Sequence, residues 1–100
     1  MIKSYPDTAF VTLEDGTRVV YFHGTAIVTA YPTGVIRLDT GGWRTLSTRT
    51  RINQVAEDLR LNLGVFFYKK DMLLVYAGKE FNLGKASGVV LCDGAVLDVK

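Results

Sequence analysis

Residues 39–59 read DTGGWRTLSTRTRINQVAEDL, and the rhythm of apolar residues changes inside this stretch. On its right, Ile52, Val55, Ala56 and Leu59 recur at i, i+3, i+4 and i+7, with Gln54, Glu57, Asp58 and Arg60 on the other faces. That spacing puts the apolar side chains on one stripe of an α-helix. Ser47, Thr48 or Thr50 can cap its start, and Asn62 with Gly64 offers a stop. With Thr48 as the first choice for the cap, the helix runs for about three turns.

On the left the period is two. Residues 10–13 alternate as a strand does, and Asp15-Gly16 is a hairpin signal leading into Arg18-Val19-Val20-Tyr21-Phe22. The β-branched run from Thr25 to Tyr31 stops at Pro32-Thr33-Gly34, where proline presets φ and glycine supplies a positive one. Residues 35–38 return as its partner. Beyond the helix, strands are expected at 65–68, 72–76, 79–82, 89–91 and 96–99, the last two flanking Asp93-Gly94. The order predicts an α+β fold, a mostly antiparallel β-sheet of hairpins with one central amphipathic helix packed on it. A helix this short cannot hold its apolar stripe alone and must cover a sheet face.

One hundred residues, 48% apolar and 22% charged, suit one globular domain spanning 1–100. The net charge of +2 permits an anionic partner without demanding one. A single cysteine, Cys92, excludes an intramolecular disulfide, and with one histidine it cannot build a cysteine-rich zinc site. No metal or cofactor is expected. MIKSYPDTAF has no apolar run behind its charge, so a signal peptide is not expected, and no segment approaches the ~18 apolar residues of a membrane span. An intracellular, cytoplasmic setting follows as the expectation.

The same opening stretch holds the candidate ligand site. Gly41 and Gly42 leave backbone amides at a strand end, and Trp43 offers a ring for stacking, with Arg44 beside it. Thr45 and Thr48 supply hydroxyls, while Arg49 and Arg51 sit near the positive end of the helix, the end that least favours a cation. Phosphate or carboxylate would resolve that mismatch by taking amides and guanidinium groups together. Against this stands a plain structural reading: Trp43 anchors the helix, the glycines turn the chain, Asp39 caps that turn, and the threonines cap the helix. His23 is the sole imidazole and has no obvious partner, and no carboxylate pair stands out, so no catalytic residue is assigned. Phe66, Phe67, Tyr68, Tyr76 and Phe81 interleave with Lys69, Lys70 and Lys79, a composition suited to single-stranded nucleic acid. Phe66 and Phe67 must however face opposite sides of any strand, and the core needs most of these rings.

The run GVIRLDTGGWRTLSTRTRINQ resembles a signature of small bacteriophage proteins: a strand, a Gly-Gly-aromatic turn, Arg-Thr, further threonines, basic residues and an asparagine. The likeness extends to YFHGTAIVTAY before it and GVFFYKKDMLLVY after it. It departs at Leu73-Leu74, where a tryptophan is expected, and in the added hairpin at Asp15-Gly16. The resemblance implies a phage accessory protein and brings no catalytic residues with it. Two non-enzymatic roles fit. One is sequestration of a nucleotide or nucleic-acid ligand at Gly41–Asn53 to disturb a host process, including a defence signal. The other is direct contact with a host protein, anchored by Trp43 and Arg44. Self-association through a strand edge fits either.

Overall fold

In the computed structural model, residues 5–42 and 45–100 are described. The chain forms β1 (Thr8–Thr12), β2 (Arg18–Phe22), β3 (Thr25–Ala30), β4 (Ile36–Asp39), α1 (Leu46–Asp58), β5 (Leu63–Tyr68), β6 (Asp71–Tyr76), β7 (Lys79–Asn82), β8 (Gly88–Cys92) and β9 (Ala95–Val99). This is the α+β fold expected, with every strand pair antiparallel. The strands divide into two sheets, however, a six-stranded one in the order β1-β2-β3-β4-β8-β9 and a three-stranded one in the order β5-β6-β7. The division arises because β4 pairs with β8, with Leu38 opposite Val89. Everything between them, α1 and the small sheet, is an excursion from one edge of β4. Gly88 permits that pairing: a Cβ there would lie 2.8 Å from the Leu38 carbonyl oxygen.

Both sheets and α1 share one apolar core. Val20, Phe22, Ile27, Val28, Ile36, Leu38, Val89 and Leu91 enter it from the large sheet, Ile52, Val55 and Leu59 from α1, and Val65, Met72, Leu74 and Tyr76 from the small sheet. Between β2 and β3 the register shifts, with Val20 opposite Val28 but Tyr21 opposite Ala26, which leaves Ile27 unopposed. Such a bulge turns two consecutive side chains, Ile27 and Val28, to the same side, and both are buried.

Both ends of α1 differ from those expected. Its cap is Thr45, whose hydroxyl accepts from the Thr48 amide at 3.2 Å, so the helix starts ahead of Thr48, which lies buried inside the first turn. The stop is Arg60 in the left-handed region (φ 58), not Gly64, which belongs to β5. The Arg60 amide donates to Glu57 and the Leu61 amide to Ala56, two bonds that satisfy the last-turn carbonyls in a Schellman arrangement. Periodicity predicts the apolar face well. It says little about ends, which depend on which hydroxyl the preceding loop delivers.

Asn53 ties α1 to the small sheet. Its side chain donates to the Val65 carbonyl at 2.9 Å and accepts from the Val65 amide at 2.7 Å. One side-chain amide thus takes the place of a neighbouring strand along the outer edge of β5.

Candidate functional site

The β2–β3 turn, the end of β4 and the head of α1 meet around a cavity of about 370 Å³. Its apolar wall is Phe22 and Ile27, the latter brought there by the bulge. The polar wall carries Thr25, Thr40, Thr45, Ser47, Thr48 and His23. No aspartate or glutamate is among these lining residues, and the first turn of α1 holds no acid. The positive end of the helix dipole is therefore uncompensated from within the helix.

The hydroxyls divide by engagement. Thr40 Oγ1 donates to the Ser87 carbonyl at 2.9 Å and accepts from the Gly42 amide, while Thr45 and Thr48 hydroxyls lie 3.1 Å apart. Thr25 and Ser47 have no side-chain hydrogen-bond partner among the described residues, and neither do the amides of Leu46 and Ser47, the first two of the helix. Those amides are two of the four that every helix leaves open at its start. Hydroxyls and amides converging on a volume close to the lower limit of small-molecule sites, ~300 Å³, can hold an anionic group of mononucleotide size or less.

The residues singled out from sequence are not all gathered here. Thr45 and Thr48 line the cavity. Gly41 and Gly42 do not offer open amides: Gly41 donates to Asp39 Oδ1 at 2.7 Å and Gly42 to Thr40 Oγ1 at 3.3 Å. Asp39 thus caps the glycine turn, as the plain structural reading expects. Gly41 is required there, since φ is +63° and a Cβ would meet Thr25 Cγ2 at 2.9 Å. Arg51 is held elsewhere, its guanidinium 4.8 Å from the Tyr5 ring centroid and 5.2 Å from that of Phe22, donating to Gln54 Oε1 at 2.9 Å. It serves as a cation sandwiched between rings that clamps the N-terminal segment over α1. Tyr5 completes the clamp by donating to Asp58 Oδ2 at 2.7 Å, and this hydrogen bond, with desolvation and the negative charge of Asp58, raises the phenol's pKa. Arg49 is half-buried in the first turn; its Nε and that of Arg51 are enclosed without an acceptor among the described residues. Trp43 and Arg44, the proposed stacking ring and its neighbouring charge, lie outside the described residues.

Sequence reasoning gave Thr25 and Thr40 no role and Ser47 only that of a cap. Threonine on or beside a strand reads as β propensity, and only the fold of β4 against β3 brings Thr25 and Thr40 to the head of α1, where Ser47 already lies. His23 is in the wall, but its Nε2 stands 3.9 Å from Asp7 Oδ2 with both side chains more than 60% exposed. At that distance the two solvent-exposed side chains make a loose contact. The Cys92 thiol is pushed up by desolvation and by the adjacent Asp93, away from a reactive thiolate. No cluster of potential metal ligands is present among the described residues. No helix among them is long and apolar enough to cross a membrane.

No curated protein and no solved structure matches the chain. Residues 2–88 match the family described as Kyanoviridae Gp96 protein, a span that includes β1 to β7, α1 and the whole cavity wall. The chain belongs to that bacteriophage family.

Proposed function

From membership of that family, we propose that this phage protein is a non-enzymatic binding module that sequesters an anionic, nucleotide-like ligand at the head of α1. The same chemistry suits a mononucleotide or the phosphate end of a nucleic acid, and removing such a ligand from the host would disturb a host process such as a defence signal. The observation that carries the reading is the cavity itself. It has a volume of about 370 Å³ and, among the described residues, a lining without acids, hydroxyls on Thr25 and Ser47 without a hydrogen-bond partner, and the open amides of Leu46 and Ser47. Thr45 and Thr48 position that turn, and Trp43, Arg44 and Arg49 are the residues from which stacking and charge would be recruited.

The test is thermal denaturation across mononucleotides, cyclic oligonucleotides and inorganic phosphate. A ligand present at ~100 times its Kd should stabilise the fold by about 2.7 kcal/mol. Ser47→Asp, which puts a carboxylate at the cavity wall, should abolish the response. Absence of any phosphate-dependent shift rejects the reading.

A second reading, direct contact with a host protein, is supported by Leu46, which is 67% exposed at the first position of α1. Covering an exposed bulky apolar side chain with a partner surface removes that apolar area from water, which favours association. Leu46→Ser separates the two readings, because it would spare the response to nucleotides and weaken a host-protein complex. Self-association is measured in the same samples by light scattering.

A further inference from the structure

An open sheet edge is a row of unpaired amides and carbonyls ready for another strand. The large sheet ends in β1 and β9, the small one in β5 and β7. Three of these edges are blunted. On β5, Asn53 takes both backbone groups of Val65. β7 is four residues long and exposes Lys79 and Glu80. β9 carries Asp98, is bulged where it passes Val90 and Leu91, and turns the Val99 amide onto Asp98 Oδ1 at 3.0 Å. Short length, charge, a bulge and a covering group all keep an edge from pairing.

β1 has none of these. Thr8-Ala9-Phe10-Val11-Thr12 holds no charge, proline or glycine, and it pairs with β2 without a register shift. The Leu13 amide donates to the Thr17 carbonyl, and the His23 amide to the Asp7 carbonyl. Hydrogen-bonding direction alternates along an antiparallel strand. Residues 7, 9, 11 and 13 therefore face β2, and the amides and carbonyls of Thr8, Phe10 and Thr12 point away from the sheet. These groups have no partner among the described residues. The chain before β1 turns off at Asp7 (φ 54), and Tyr5 lies over α1 against Arg51 and Asp58.

The strand is also its own complement. About Phe10 its sequence is palindromic in type, with Thr8 answering Thr12 and Ala9 answering Val11. An antiparallel copy centred there sets Phe10 opposite the partner's Phe10, Thr8 opposite the partner's Thr12, and Ala9 opposite the partner's Val11. Every outward amide and carbonyl of β1 then finds a partner. Aromatic and Thr–Thr pairs are among those that stabilise facing strands. A slip of two residues in either direction loses this match. It sets Thr12 against the partner's Pro6, which has no amide, or Thr8 against the partner's Glu14 in the turn. On the face away from the core, Val11 and Tyr21 are 39% and 38% exposed, and the partner strand would cover the flank of Val11.

We propose that a second copy of this chain pairs along β1, antiparallel about a two-fold axis at Phe10, joining two large sheets into one. A two-fold contact requires a self-complementary patch, and β1 supplies it in side chains as well as backbone. No residue of β1 lines the cavity at the head of α1, so the dimer does not depend on the reading of that site.

The experiment is analytical ultracentrifugation of the full chain between roughly 1 and 500 µM, because a single strand pair is a small interface at the weak end of affinity. The mass should rise with concentration to twice the 11.0 kDa of one chain and stop there, since a two-fold contact closes on itself. Thr12→Pro removes an outward amide that the monomer does not use, a change that edge strands tolerate. It should leave a cooperative melt and a monomer at every concentration. Charge tests the register. Ala9→Lys with Val11→Lys sets like charges opposite each other across the axis and should abolish the dimer. Ala9→Glu with Val11→Lys sets opposite charges there and should retain it. Both positions are exposed, so neither pair of changes enters the core. A monomer throughout the range, assembly beyond the dimer, or a dimer indifferent to Thr12→Pro and to the lysine pair would each overturn the proposal. So would a Glu–Lys chain no more dimeric than the Lys–Lys one.

Discussion

Asn53 shows how much one side chain can decide. It satisfies both backbone groups of Val65, a residue with no exposure, from a helix that has no other polar bond to the small sheet among those described. Asn53→Ala leaves a buried amide and carbonyl unpaired and should destabilise the fold by about 2–4 kcal/mol. The check is the urea midpoint at unchanged m-value. Tyr5 carries a pH signature. Its folded pKa lies above the ordinary 10.0, so the neutral phenol is the form that folding favours. That contribution is complete below the unfolded value and is lost as pH rises through the folded one. Above pH 10 the stability of the parent should therefore fall more steeply than that of Tyr5→Phe, measured by denaturation at stepped alkaline pH. The plain reading of Asp39 as a turn cap was legible in the sequence because Asx-turn chemistry is local. The duty of Asn53 was not, because its partner lies in a strand whose position the sequence does not show.

At the scale of elements, α1 carries an electrostatic mismatch, with no acid in its first turn and no base in its last. Ser47→Asp should stabilise the unliganded helix by about 0.3–1 kcal/mol through the macrodipole. The same substitution is expected to remove the response to nucleotides, so a rise in Tm with loss of binding marks a position where ligand and stability compete. The β5–β6 turn carries strain of its own, with Lys69 and Lys70 both at positive φ. Relieving left-handed lysines with Asn-Gly should stabilise the hairpin by about 1–2 kcal/mol. The existence and type of every element were readable from periods of two and 3.6. The cap and stop of α1 were displaced because Thr45, Ser47, Thr48 and Thr50 are chemically equivalent in a linear string, and only loop geometry chooses among them.

For the whole molecule, the pairing of β4 with β8 is the closing event, and it joins residues about fifty positions apart. Val89 and Leu91 are 1% and 0% exposed, so the last hairpin is part of the core. Removing residues 89–100 takes away two fully buried side chains, about 1.5–3 kcal/mol each, and opens the edge of β4. A native stability of about 5–15 kcal/mol leaves little margin for that loss. The truncated chain, although it retains the entire span shared with the phage family, should show no cooperative thermal transition and a collapsed amide spectrum.

The sequence by itself determined the α+β class, the hairpins, the apolar stripe of α1 and the absence of a disulfide, since each depends on residues within a few positions of one another. Only the tertiary structure decided that the strands form two sheets, that Phe66 and Tyr68 face outward while Phe67 and Tyr76 face inward, and that Arg51 is spent between two rings. Only it brought Thr25, Thr40 and Ser47 together at the head of α1. The reason is physical: periodicity records which face of an element is apolar, whereas a cavity wall or a pairing partner is set by how distant faces meet once the core closes.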